Sequence, residues 1–288
     1  MYFLQVSDVH LSKFTPERGE QFVVFCNETV KVVQPALVVH TGDITDALMN
    51  APGSPLYQNE QQAEDWDFYK DTLTTYGYFN KSFWLDVRGN HDAYAIPSYM
   101  SPTNFYLTHG VYGDERDYTF VLNTGFASYQ FVSMDLSFDL GLSAPFDFFG
   151  LVPKDLATIQ AAVNAAPSFN HTVLFGHYPR VTSMNRVPWE TLTKDKVLAY
   201  LCGHLHTDSM YTNMPENYYE LELEAIFSLL FLFLFLFSFS FLFWLSSPPI
   251  DYLFSVLFRS IRCVLSFHGP LNSAGHEGNI SINLDLGQ

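Results

Sequence analysis

Along this chain a short apolar run repeatedly ends in a small polar turn, and that cadence constrains the fold more than any other feature. Residues 2–7 run into Asp8-Val9-His10, residues 36–41 into Gly42-Asp43, and residues 83–87 into Gly89-Asn90-His91-Asp92. Later, 172–175 leads to Gly176-His177 and 197–201 to Gly203-His204-Leu205-His206. Apolar runs this short read as buried strands. Between them lie helical patterns: Phe22, Cys26, Thr29 and Val33 share one face, and 58–76 is helix-forming with Gly77 as its C-cap. The alternation predicts an α/β architecture up to about Glu224. Residues 118–122 and 129–134 flank Gly125 and predict a hairpin, and Pro153 is expected to open a helix reaching about Ala166. Beyond Asp251 the tail reads as irregular, except that Ile280, Ile282, Leu284 and Leu286 alternate as in a short strand.

Each turn alone has an ordinary explanation. An Asp two residues before a His is often a surface carboxylate beside a packed ring, Gly-Asp is often only a turn, and Asn-His-Asp can be an Asx-turn. Their shared context carries more weight. In an open α/β sheet the strand C-termini gather at one edge, where such folds place their sites. Carboxylates, imidazoles and one amide oxygen gathered there have the chemistry of a metal centre. The absence of thiolate suits Mn, Fe, Zn or Ni, with no choice among them. Within the third motif, His91 can move a proton, and Asp92 is expected to orient its ring. Arg88 and Arg180 adjoin the motifs, where a phosphate contact and a simple ion pair are both open. The aromatic-rich stretch 94–149 can shape a cleft or fill a core.

In content and order the five turns resemble the calcineurin-like metallophosphoesterase superfamily, and the wording of 5–12, 84–93 and 200–207 is most similar to its transmembrane protein 62 branch. The resemblance covers about residues 1–224. It implies two mixed β-sheets packed as an α/β/β/α sandwich with a C-terminal apolar segment appended. It also implies two divalent metal ions, one on Asp8, His10, Asp43 and His206, the other on Asp43, Asn90, His177 and His204. His91 and Asp92 would then be catalytic rather than ligating. The implied substrate is a small phosphoester or a phosphoprotein, hydrolysed as a monoester or diester. A membrane-associated scaffold that keeps the fold without the activity is the competing reading.

Composition narrows the partners. A formal net charge of -16, from 30 acidic and 14 basic residues, argues against a nucleic-acid-binding surface. Cys26, Cys202 and Cys263 are too few for a disulfide framework, and Cys202 reads as a small core residue. Sequons at Asn27, Asn80, Asn170 and Asn279 lean towards a secretory lumen. Residues 225–245 form an uncharged Phe/Leu/Ser run, read either as a membrane span or as a translated polypyrimidine tract, with 246–288 as the tail. As a span, with Glu220, Glu222 and Glu224 before it and Arg259 and Arg262 after it, it would set the catalytic domain on the lumenal side of an endomembrane. Met1 is followed directly by the first strand, so an apolar leader is expected upstream if that placement holds. A cytoplasmic location follows if the run is an artefact.

Overall fold

The computed structural model describes residues 2–51, 59–138, 148–151, 153–183, 187–193, 197–206, 209–211, 219–222, 264–267 and 280–282. The apolar segment 225–245, and with it the expected membrane span, lies outside the described residues. None of the described helices is long and apolar enough to cross a membrane.

Two sheets carry the fold. The first has the order β11-β10-β1-β2-β3, built from β1 (Tyr2–Val6), β2 (Val38–His40), β3 (Trp84–Asp86), β10 (Val264–Phe267) and β11 (Ile280–Ile282). Here β1, β2 and β3 run parallel, with Leu4 opposite Val38 and Val38 opposite Trp84. Strand β10 lies antiparallel to β1, with Tyr2 opposite Ser266, so the tail contributes to this sheet a strand that its composition did not suggest. The alternation at Ile280 and Ile282 does fall in a strand, β11. The second sheet has the order β4-β5-β6-β7-β9-β8, from β4 (Thr119–Asn123), β5 (Ser128–Met134), β6 (His171–Gly176), β7 (Ala199–Cys202), β8 (Ser209–Tyr211) and β9 (Tyr219–Glu222). Strands β4 and β5 form the expected antiparallel hairpin around Gly125, whose φ is 81°. Parallel pairing then links β5 to β6, β6 to β7, and β7 to β9.

The inner faces of the sheets pack directly on each other. Phe3 of β1 meets Phe131 of β5 edge to face at 5.4 Å, and the buried Gln5 amide donates across the gap to the Cys202 carbonyl at 2.9 Å. Helices cover the outer faces, which completes an α/β/β/α sandwich and explains why the central strands are apolar on both sides. Over the first sheet lie the helix Pro16–Val24, with its continuation to Val33, and the helix Ala63–Thr75. Phe22 and Tyr69 pack there against Trp84 at 6.1 and 6.5 Å. Burial of each such ring contributes about 1.5–3 kcal/mol. Over the second sheet, Ile159 and Val163 of the helix Leu156–Asn164 share a cluster with Leu174 and Tyr200.

Three local differences from the sequence reading have simple causes. The first helix carries a π turn at Phe25–Thr29, which shifts its buried face by one residue and brings Phe25 and Val30 inside with Phe22, Cys26 and Thr29. The second helix begins at Ala63 rather than 58, and ends as expected, with Gly77 at φ 77°. The helix expected to open at Pro153 starts instead behind Asp155, whose carboxylate accepts from Thr158 N at 2.9 Å, an N-cap stronger than the proline signal.

Candidate metal centre

The C-terminal ends of β1, β2 and β3 in one sheet, and of β6 and β7 in the other, meet at one edge of the sandwich. The first two loops are zipped together beyond the sheet. Asp8 N donates to Gly42 O, His10 N to Asp43 O, Leu11 N to Ile44 O and Asp46 N to Leu11 O, at 2.9–3.0 Å. Gly42 adopts φ 94°, and a Cβ there would lie 2.7 Å from Gly89 N, so the close approach of the two turns needs glycine. At Gly89 a Cβ would run into the Asp43 carboxylate, and at Gly203 into Ser7 and Asp8. Asp8, His10, Asp43, His204 and His206 all have left-handed backbone, with φ from 49° to 81°. That conformation is uncommon outside glycine and is found where surrounding structure imposes it.

The side chains form two adjoining donor sets. In the first, His206 Nε2 lies 3.2 Å from Asp8 Oδ1 and 3.1 Å from His10 Nε2, and His10 Nε2 is 3.7 Å from Asp43 Oδ2. Asp8, His10, Asp43 and His206 could hold one ion between them. In the second, His177 Nε2 lies 3.3 Å from Asp43 Oδ2 and 2.9 Å from Asn90 Oδ1, while His204 Nδ1 reaches the same Asn90 oxygen at 2.9 Å. All seven sequence-predicted donors are therefore brought together, with Asp43 touching both sets.

The outward hydrogen bonds show what the second set is prepared to bind. His177 Nδ1 faces the Thr41 carbonyl at 2.9 Å, and His204 Nε2 faces the Phe148 carbonyl at 3.0 Å, so each of these nitrogens carries a proton. Asn90 Nδ2 donates to the Tyr94 hydroxyl at 2.9 Å, which turns Oδ1 towards the two rings. In their neutral forms, His177 Nε2 and His204 Nδ1 both aim lone pairs at an oxygen that can only accept. A second proton can relieve the His177 contact: burial opposes it, but Asp43 and Asp8 raise that ring to about 9. No proton relieves His204, which burial and the neighbouring His177 push down to about 4. A cation at this convergence satisfies all three acceptors at once, so the residues fit a bound metal. The carboxylates fit it as well: burial alone would raise Asp43, yet His177, His91 and His10 hold it well below the usual range as an anion.

His91 stands beside both sets. Its backbone N–H donates to Asp43 Oδ1 at 2.9 Å, and its Nε2 is 3.9 Å from Asp43 Oδ2. The expectation that Asp92 orients this ring is corrected by the structure. Asp92 is fully buried and accepts from the backbone N–H groups of Gly89, Ile44 and Thr45 at 2.8–3.1 Å, so it ties the third turn to the second. Burial and Asp43 together push its carboxyl up to about 6. The carboxylate next to His91 is Asp46, whose carbonyl and Oδ1 lie 3.0 and 3.3 Å from Nδ1. Arg18 Nη1 fixes Asp46 Oδ2 at 2.6 Å and the His10 carbonyl at 3.1 Å. The sequence offered one signal for Asp46, its place three residues after Asp43 in the same turn.

Arg88 resolves as an ion pair: its buried guanidinium grips Asp135 at 2.6 and 3.1 Å, and Ser137 Oγ donates to the Gly89 carbonyl at 3.0 Å. Among the described residues of the aromatic stretch, Tyr94, Tyr106, Tyr112 and Tyr118 are buried in the core.

Comparison with known proteins agrees with this geometry. A family model described as calcineurin-like phosphoesterase matches residues 1–208. Transmembrane protein 62 of Mus musculus is 36% identical over 206 residues, 71% of this chain and 31% of that protein. A protein from Arabidopsis thaliana whose name assigns it to the metallophosphoesterases is 27% identical over 220 residues, 72% of this chain and 30% of its own length. The chain thus spans about a third of the length of these relatives. Among solved structures, the Thermus thermophilus sulfate thiohydrolase SoxB overlays with a TM-score of 0.47 at 13% identity, covering 78% of this chain and 51% of that one. On the match across residues 1–208, with every one of its turns gathered at one edge of a two-sheet sandwich, this chain belongs to the calcineurin-like phosphoesterase family.

Proposed function

We propose that the chain hydrolyses a phosphoester at a dinuclear metal centre, with Asp8, His10, Asp43 and His206 holding one divalent ion and Asp43, Asn90, His177 and His204 the other. The observation that carries this reading is the convergence of His177 Nε2 and His204 Nδ1 on Asn90 Oδ1, each at 2.9 Å, which calls for a cation. Such a pair of ions supplies Lewis-acid polarisation of the phosphoryl oxygens and a water acidic enough to attack near neutral pH. Asp43 is the shared donor, and its anionic form is favoured by three surrounding histidines.

The chain's own acid–base group in this reading is His91. Burial disfavours its charged form, but in the metal-free chain Asp43 and Asp46 raise the ring to about 9; Nδ1 faces the Asp46 carbonyl, which leaves Nε2 as the nitrogen placed to give a proton to the leaving oxygen. Asp46, fixed by Arg18, keeps the ring oriented, and Asp92 positions the turn from which His91 projects. The substrate is a small phosphoester or a phosphoprotein, and membrane association falls to 225–245, in keeping with the name of the transmembrane relative. Elemental analysis of the purified full chain, paired with hydrolysis of 4-nitrophenyl phosphate and bis(4-nitrophenyl) phosphate, tests the reading. Two equivalents of Mn, Fe, Zn or Ni and chelator-sensitive turnover are expected. A chain that binds none of these metals and cleaves neither ester would overturn it.

A further inference from the structure

Phe148 and Phe149 differ from the buried tyrosines of the same aromatic stretch, being 44% and 50% exposed. Phe148 lies at the rim of the metal centre, with Phe149 packed on it. The Phe148 ring centroid is 5.2 Å from that of His204, and the Phe148 carbonyl accepts from His204 Nε2 at 3.0 Å. A scattered exposed phenylalanine needs no explanation, but two adjacent ones against a histidine of a polar donor cluster form an apolar shelf where a substrate's organic part would emerge.

We propose that Phe148 and Phe149 form a subsite for a planar, uncharged aromatic group on the leaving side of the phosphoester, an inference that rests on the phosphoesterase reading above. The rings meet edge to face, with centroids 5.1 Å apart and planes at 87°, and so make a corner. A flat group stacked on one ring stands perpendicular to the other, so it gains an offset stack and an edge-to-face contact together. An aliphatic chain would gain only the apolar contact.

Two phosphonates that cannot be hydrolysed separate this subsite from the catalytic reading. The full chain, loaded with Mn²⁺, is titrated calorimetrically with phenylphosphonate and with methylphosphonate. Phenylphosphonate is expected to bind about tenfold tighter, the scale of one aromatic stacking contact. In the double variant Phe148→Ala/Phe149→Ala the two should bind equally, a comparison made within one variant and so independent of any change at His204. Phe148→Trp should retain the preference, which separates loss of an aromatic face from local disorder. Equal binding of both phosphonates to the unaltered chain, or a preference that survives the double variant, overturns the subsite alone. Binding of neither overturns the metal-centre reading and the subsite with it.

Discussion

His91 Nδ1 lies 3.0 Å from the Asp46 carbonyl and 3.3 Å from its carboxylate, while the opposite nitrogen of the ring faces Asp43 Oδ2 at 3.9 Å. One end of the imidazole is therefore anchored and the other is presented to the centre. His91→Gln should leave metal content unchanged and lower turnover by roughly 10²–10⁴, the range of a lost acid–base group. Asp46→Asn should lower it less, since the Asp46 carbonyl remains. Loss of one metal equivalent in His91→Gln would instead make this histidine a ligand.

Asp43→Asn tests the shared donor. The Asp43 carboxylate touches both donor sets, at 3.7 Å from His10 Nε2 and 3.3 Å from His177 Nε2. Its neutralisation should weaken both metal positions together, with affinity and hydrolysis each falling by more than about a hundredfold. A variant that kept two equivalents at full turnover would show that Asp43 is not shared.

Tyr94→Phe probes the orientation of the amide without touching any donor atom. Removal of the hydroxyl that accepts from Asn90 Nδ2 at 2.9 Å lets the amide turn, so that Nδ2 can face the two histidines. Affinity at one of the two metal positions is expected to drop by roughly 10–100-fold, while the other is retained. Metal titration followed by mass spectrometry reads the difference, and unchanged binding at both positions would mean the amide is fixed by other contacts.

Stability should respond to pH through Asp65. Its Oδ1 accepts from Lys13 N at 2.7 Å, but its buried Oδ2 has no partner among the described residues, and burial pushes the carboxyl up from 3.8 to about 6. The folded chain then holds this proton more tightly than the unfolded chain. The favourable contribution is complete below about pH 4 and is lost as pH rises through 6. At pH 7 the ionised group costs about 2 kcal/mol. Asp65→Asn keeps the Oδ1 acceptor, so it should raise the melting temperature at pH 7 by roughly 4–8 °C and leave it almost unchanged at pH 4. An equal shift at both values would remove ionisation as the cause.

The parts of the fold visible in the sequence were those whose cause is local. Strand runs such as 2–7 and 197–201 are apolar because both their faces are covered, and the polar turns behind them stand out by contrast. The hairpin was visible from its two alternating runs and the glycine between them. What depended on distant partners was hidden. Asp92 and Asp46 are both carboxylates in post-strand turns, and only the folded arrangement gives the first to backbone N–H groups and the second to His91. Strand β10 owes its place to pairing with β1, more than 250 positions earlier in the chain, which no local pattern encodes.

The left-handed backbone at Asp8, His10, Asp43, His204 and His206 narrows what can replace these residues. For ordinary side chains that conformation costs about 1–2 kcal/mol, less for Asp and Asn, and β-branched residues tolerate it worst. Each of these positions is thus filtered twice, once for a donor atom and once for a backbone that few residue types accept. Reverting one donor in a disabled site would restore both properties, whereas moving that donor to a neighbouring position would restore only the first. A designer grafting this centre onto another two-sheet scaffold would therefore need to copy the loop conformations ahead of the ligands. The zipped turns behind β1 and β2, which hold three of those φ angles, and the turn behind β7, which holds the other two, are the part of the site that cannot be transplanted one residue at a time.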